Sequence, residues 1–336
     1  MKDLQYITIS NYVTQNGKTA SIQLSYQTFG QPLYDAPIVL VNHALTGNSN
    51  VCGNEGWWND LIGENKCIDT NAYTVLAFNI PGNGYDGNSN NLIENYKDFT
   101  ARDIAKLFLE GLKQLEIQKL FAVIGGSVGG AIAWELAALE PDLIYNLIPI
   151  ATDWKSTDWL IANCHIQDAL LNNSREPLVD ARMHAMTLYR TPESLTSKFR
   201  RSENTKIIFN VESWLNHHGK ILNERFNVSA YKLLNQVLRT VDITRGRSSF
   251  SAVASRISSN IHIVTINSDL FFKANENWET YVDLKLIKDN VTINEINSIH
   301  GHDAFLIEFG QLSKFLAPIF KTEISCNYET VLKKCI

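Results

Sequence analysis

The stretch Val123-Ile124-Gly125-Gly126-Ser127-Val128-Gly129-Gly130 decides the architecture of this chain. It runs from an apolar, β-branched segment at 120–124, through Gly-x-Ser-x-Gly, into an Ala-rich helical pattern at 130–139. In that context a serine hydroxyl is held out on a sharp turn at the top of a parallel sheet. Gly125 and Gly129 fit because strand and helix come close there, leaving no room for a Cβ. The positive end of the following helix lies under the serine, where negative charge would develop in a reaction.

Working outward, short apolar runs without alternation, as buried parallel strands require, mark strands at 38–42, 73–79, 120–125, 145–151, 261–267 and 291–296. The run at 22–29 alternates more and precedes a turn at Gly30-Gln31-Pro32, so it is expected at a sheet edge. Helical patterns at 100–115, 128–139, 275–287 and 304–315 alternate with the strands, which predicts an α/β fold, a mostly parallel sheet with helices on both faces. Between 153 and 259 no strand pair is evident, but helix-like stretches at 158–171, 178–189, 192–200 and 230–240 are. The expected organisation is a core (1–152), an inserted helical lid (153–259), the rest of the core (260–320) and a C-terminal tail (321–336). The lid would cover the carboxyl ends of the strands, where open α/β sheets bind ligands.

Composition narrows the function. The 336 residues, 45% hydrophobic and 19% charged, describe a soluble globular protein, and the net charge of −5 argues against nucleic acid or an anionic membrane as partner. No apolar run is long enough to span a bilayer, and the N-terminus lacks a secretory core. Five scattered cysteines (Cys52, Cys67, Cys164, Cys326 and Cys335) read as free thiols in a reducing cytoplasm. Gly82-Asn83-Gly84 is no dinucleotide fingerprint. His217 and His218 diverge by about 100° on a helix, and no further ligand spacing supports a metal, so no metal and no permanently bound cofactor is expected.

A serine needs a base to take its proton and a third group to hold that base. On a hydrolase-type sheet the chain order is Ser, then Asp or Glu, then His. That order leaves His262, His300 and His302. His262 lies inside a strand pattern, whereas Ser298-Ile299-His300-Gly301-His302-Asp303 follows the last strand; His302 is the candidate base and His300 the alternative. Asp269, just past the strand before, is the candidate orienting acid, although an Asp there also suits a helix cap. The amides of Val128 and Leu45 are the candidate oxyanion donors. His43 precedes the serine, the wrong order for a base, and reads as a structural loop residue.

Taken together, these residues resemble the homoserine O-acetyltransferase family of α/β-hydrolase-fold acyltransferases. The resemblance rests on His43-Ala44-Leu45-Thr46-Gly47, the Gly56-Trp57-Trp58-Asn59-Asp60-Leu61-Ile62-Gly63 segment, Ile68-Asp69-Thr70, the Ser127 motif and Gly301-His302-Asp303-Ala304-Phe305-Leu306. In the lid it includes Ala181-Arg182-Met183, Leu188-Tyr189-Arg190, Val211-Glu212-Ser213-Trp214-Leu215 and Arg225-Phe226, and it runs from about residue 20 to 320. It implies an acyl group passing from acyl-CoA, with acetyl-CoA as the expected co-substrate, through Ser127 to the hydroxyl of L-homoserine in methionine biosynthesis. It also implies that Arg182, Tyr189 and Asp303 hold the amino acid and that the protein is a cytoplasmic homodimer paired through the lid. Two departures stand out: the loop Ile80-Pro81-Gly82-Asn83-Gly84-Tyr85-Asp86-Gly87-Asn88, and a lid shortened between Trp154 and Arg182. A hydrolase using water as acceptor would need the same Ser127, Asp269 and His302, and a non-catalytic binding protein would need none of them.

Overall fold

A computed structural model describes residues 3–204 and 207–321. Among these residues eight strands make the main sheet: β1 (Gln5–Val13), β2 (Thr19–Gly30), β3 (Ile38–Asn42), β4 (Thr74–Phe78), β5 (Leu120–Gly126), β6 (Ile144–Ile150), β7 (Asn260–Ile266) and β8 (Val291–Ile296). Their spatial order is β1-β2-β4-β3-β5-β6-β7-β8. The first two junctions are antiparallel and all the others parallel. β3 and β4 are buried at every position, as strands covered on both faces must be. On one face Leu40, Leu76, Phe78 and Val123 join the core under α1 (Ala101–Gln114) and α2 (Val128–Leu139). On the other, Val39, Val41, Ala122, Ile124 and Ile150 pack with Trp58, Leu61 and the helix Phe309–Phe320.

β2 is not the sheet edge that its alternation suggested. β1 lies outside it, Ile7 opposite Leu24 and Ile9 opposite Ile22. β1 buries only Ile7, Ile9 and Tyr12. So sparse an apolar pattern is weak in sequence, and tertiary pairing supplies the rest.

Among the described residues six helices fill the segment between β6 and β7: α3 (Asp158–Asn173), α4 (Pro177–Tyr189), α5 (Pro192–Phe199), α6 (Asn210–Arg225), α7 (Val228–Arg239) and α8 (Phe250–Ala254). The sequence pattern did not mark α6, which buries only Gly219 and Leu222. A Cβ on Gly219 would stand 2.7 Å from Val179 Cγ1 of α4, so the missing side chain permits close helix packing. The lid is fastened to the core near its far end. The buried Arg102 of α1 pairs with Glu135 of α2 (Nε to Oε2, 3.0 Å), and its Nη2 donates to the carbonyls of Asp242 (3.0 Å) and Ile243 (3.2 Å). Near its start, the buried Asp153 accepts from Thr280 Oγ1 (2.9 Å) of α9 (Ala274–Lys285) and from the Trp154 amide (2.8 Å).

The helix expected over 304–315 is broken. A 3₁₀ turn, Gly301–Leu306, precedes α10 (Phe309–Phe320). The amides of Ile307 and Glu308 both fold back on the Ala304 carbonyl (3.0 and 2.7 Å), which ends the turn and redirects the chain. Of the expected tail, only Lys321 is described; 322–336, with Cys326 and Cys335, lie outside the described residues. Among the described residues Cys52, Cys67 and Cys164 are free thiols.

Candidate active site

Ser127 joins β5 to α2 with φ 57° and ψ −129°, backbone angles that are costly for a residue with a Cβ. Its own amide donates to the Ile150 carbonyl of β6 (2.9 Å), which holds the turn. The glycines around it leave no slack. A Cβ on Gly125 would lie 2.5 Å from the Gly129 carbonyl carbon, and one on Gly129 would lie 2.4 Å from the Asn42 oxygen. The loop after β3 is thereby pressed against the start of α2. It contains Leu45, in a turn closed by the Gly47 amide on the Ala44 carbonyl (2.9 Å). The Val128 amide is the first of α2 and has no carbonyl within its own helix to meet.

His302 is in the 3₁₀ turn after β8 and is 4% exposed. Its Nδ1 donates to Asp269 Oδ2 at 2.7 Å. Asp269 Oδ1 accepts from the amides of Phe271 (2.7 Å) and Phe272 (3.0 Å). The acid therefore caps its local turn with one oxygen and holds the imidazole with the other. The His302 ring lies among Tyr189, Phe271, Phe272 and Phe305, with centroids 5.1–5.9 Å away. Phe305 links the two halves of the site, because a Cβ on Gly126 would touch its ring at 2.5 Å. Trp58 backs Phe305 edge-on at 6.4 Å.

His300, His262 and His43 are engaged elsewhere. His300 is hydrogen-bonded through Nδ1 to Ser194 Oγ of α5 (3.1 Å). His262 bonds Thr292 across β7 and β8 (2.9 Å). His43 donates from Nδ1 to the Ala44 carbonyl (2.7 Å) and accepts the Ile80 amide at Nε2 (2.9 Å). That pattern fixes a neutral ring, and burial lowers its pKa to about 4. The loop after β4 is pinned from above: a Cβ on Gly82 would meet Leu233 of α7 at 2.8 Å. No cluster among the described residues has the make-up of a metal site.

The lid brings charge to this place. Arg182 of α4 lies over the Tyr189 ring (5.6 Å to the centroid). Asp303, beside the imidazole in sequence, is ion-paired to Arg190 (Nε to Oδ2, 3.2 Å), a partner that the sequence pattern does not single out. Burial raises the Asp303 carboxyl above the usual range, against the pull of Arg182 and Arg190. A wide groove of about 1610 Å³, by contrast, lies at the amino ends of β3 and β5–β8, away from Ser127.

The strand order, the serine on its strained turn and the Asp–His pair following it in the chain define an α/β-hydrolase-fold enzyme. The alpha/beta hydrolase fold family model matches residues 37–171. The homoserine O-acetyltransferase of Methanococcus vannielii is 34% identical, over 97% of this chain and 74% of that one. That of Salinibacter ruber is 30% identical over 93% and 96%. The chain belongs to the homoserine O-acetyltransferase family, and is an enzyme of that acyltransferase type. Among solved structures, the homoserine O-acetyltransferase from Bacillus anthracis superposes with a TM-score of 0.86 at 21% identity, over 96% of this chain and 98% of that one. Esterase E22 superposes with a TM-score of 0.84 at 16% identity, over 95% and 99%. At those identities both show the fold alone. Among the described residues no helix is long and apolar enough to cross a membrane.

Proposed function

We propose that this enzyme transfers an acetyl group from acetyl-CoA to the hydroxyl of L-homoserine through an acyl-enzyme on Ser127, a step of methionine biosynthesis. The observation that carries the mechanism is the 2.7 Å bond from His302 Nδ1 to Asp269. It fixes the tautomer that leaves Nε2 free to accept a proton. Ser127 Oγ attacks the thioester carbonyl and its proton passes to His302. The amides of Val128 and Leu45 steady the oxyanion, and the CoA thiolate leaves with the proton from His302. The homoserine hydroxyl then attacks the acyl-enzyme, giving its proton to His302. Collapse of the second intermediate returns that proton to Ser127 and releases the ester.

Arg182 would grip the substrate carboxylate through paired hydrogen bonds, with Tyr189 beneath it. Asp303 Oδ2 faces Arg190, which makes Oδ1 the atom offered to the substrate ammonium. Membership of the family supports this acceptor. A second reading, in which water takes the acyl group, would use the same Ser127, Asp269 and His302, on a fold that an esterase shares. The same proposal places the protein in the cytoplasm as a homodimer through the lid, where Trp159 and Ile166 of α3 are about half exposed.

The test is CoA release from acetyl-CoA and succinyl-CoA with L-homoserine, L-serine or water alone, with product mass recorded. Release that depends on L-homoserine, with an O-acetylated product, is expected from acetyl-CoA. Equal release without an amino acid would make the enzyme a hydrolase, and a preference for succinyl-CoA would change the donor.

A further inference from the structure

Several cations gather on the lid beside the turn that carries His302. Thr191, at the start of α5, lies against Gly301, and Ser194 bonds His300, so α5 rises directly from the 301–306 turn. One turn further on, the exposed Lys198 sits over the Trp214 ring of α6 (4.8 Å), which also packs against Phe199 (5.7 Å) and His218 (4.5 Å). At the end of α6, Arg225 reaches back to the oxyanion loop and donates to the Thr46 carbonyl (3.1 Å). Arg182 and Arg190 of the neighbouring helix complete the group, and Arg190 Nη1 is buried without a hydrogen-bond acceptor.

These groups feel one another. His218 is pushed down to about 4, first by burial and then by Arg182, His217, Lys198 and Arg190. Arg182 likewise lowers Arg225, after burial. Of the acids close by, Asp303 is paired to Arg190 and Glu212 is engaged with the Phe209 amide that begins α6 (2.8 Å), while Glu193 of α5 and Glu224 of α6 are exposed to solvent. A concentrated positive field on a chain of net charge −5 has work to do only if an anion docks there.

We infer that Lys198 and Arg225, backed by Arg190, form the docking surface for the phosphate groups of the CoA donor. This rests on the acyl-CoA reading above and extends it to residues of α5 and α6. Exposed charges act over a Debye length of about 8 Å at physiological ionic strength, so this contact is salt-sensitive. Arg182 is left for the acceptor's carboxylate.

The experiment compares acetyl-CoA with S-acetyl-N-acetylcysteamine, the same thioester without phosphates, in the wild type and in Lys198→Glu and Arg225→Gln. Binding of adenosine 3′,5′-bisphosphate is measured alongside. The ratio of kcat/KM for the two donors should fall about tenfold in each variant, the worth of one charge-assisted contact. Bisphosphate binding should weaken in parallel, and added KCl should lower the same ratio in the wild type. Equal loss for both donors would make the residues lid structure and overturn the inference. Bisphosphate that fails to bind the wild type would overturn it as well. Bisphosphate binding that persists while neither thioester reacts would instead retain the surface and sink the acetyltransfer reading.

Discussion

At the scale of single residues, the turn at Ser127 concentrates the strain. A side chain at φ 57°, ψ −129° costs of order 1–3 kcal/mol, and only glycine escapes it. Ser127→Gly and Ser127→Ala both remove the hydroxyl, but only the alanine keeps the Cβ. The glycine variant is therefore expected to be more stable than the alanine variant by about 1 kcal/mol, once the greater freedom of its unfolded chain is subtracted. Urea unfolding of the two checks this, and an alanine variant that is the more stable would mean that the turn is relaxed. The candidates Ser127, Asp269 and His302 stand out in the sequence because each ends or follows a strand; chain order sets aside His43, the strand pattern sets aside His262, and His300 is engaged with Ser194 in the structure. The Arg190–Asp303 pair was not, because it depends on how α4 lies across the 301–306 turn, which no local pattern encodes.

At the scale of elements, the end of the lid is tied to a buried ion pair between two core helices and is not held by apolar packing alone. Arg102 is 7% exposed and Glu135 1%, and the guanidinium also serves carbonyls at the end of the lid. Removing Glu135 would leave that charge buried with carbonyls as its remaining fixed partners. Glu135→Ala should cost about 3–5 kcal/mol, with a loss of hydrogen-exchange protection around 242–247. A cost below about 1 kcal/mol would show that Arg247, 3.8 Å from the same carboxylate, does not depend on it either. The core strands were readable because continuous apolar runs leave few alternatives. α6 was not, since its polar surface carries almost no apolar stripe, and neither was β1, whose partner strand supplies the order. The run at 304–315 misled for a physical reason: Phe305 turns inward to Trp58 and His302, and the chain breaks after it to let that ring in.

For the molecule as a whole, two buried groups set opposing responses to pH. His43 is held neutral, with a folded pKa of about 4 against 6.5, so it stabilises the fold above pH 6.5 and loses that contribution as the pH falls toward 4. Asp153 is raised by burial from 3.8 to about 7, so its contribution is present below pH 3.8 and is lost as the pH rises toward 7. Each amounts to roughly 3–4 kcal/mol, and across the shared window they offset one another. Asp153→Asn should therefore gain stability relative to the wild type as the pH rises from about 4 to about 7. The measurement is urea unfolding of both proteins across that range; a constant difference would mean that Asp153 titrates at its ordinary value.

The order of the strands also has a consequence for how the chain is made. β6 pairs with β7, yet the whole lid lies between them in sequence. On a ribosome adding about 5–20 residues per second, β6 emerges with its neighbour still several seconds from synthesis. During that interval its outer edge is an open row of amides and carbonyls, ready to pair with another nascent chain. The lid that shelters the finished site is, during synthesis, the delay that leaves the half-built sheet exposed.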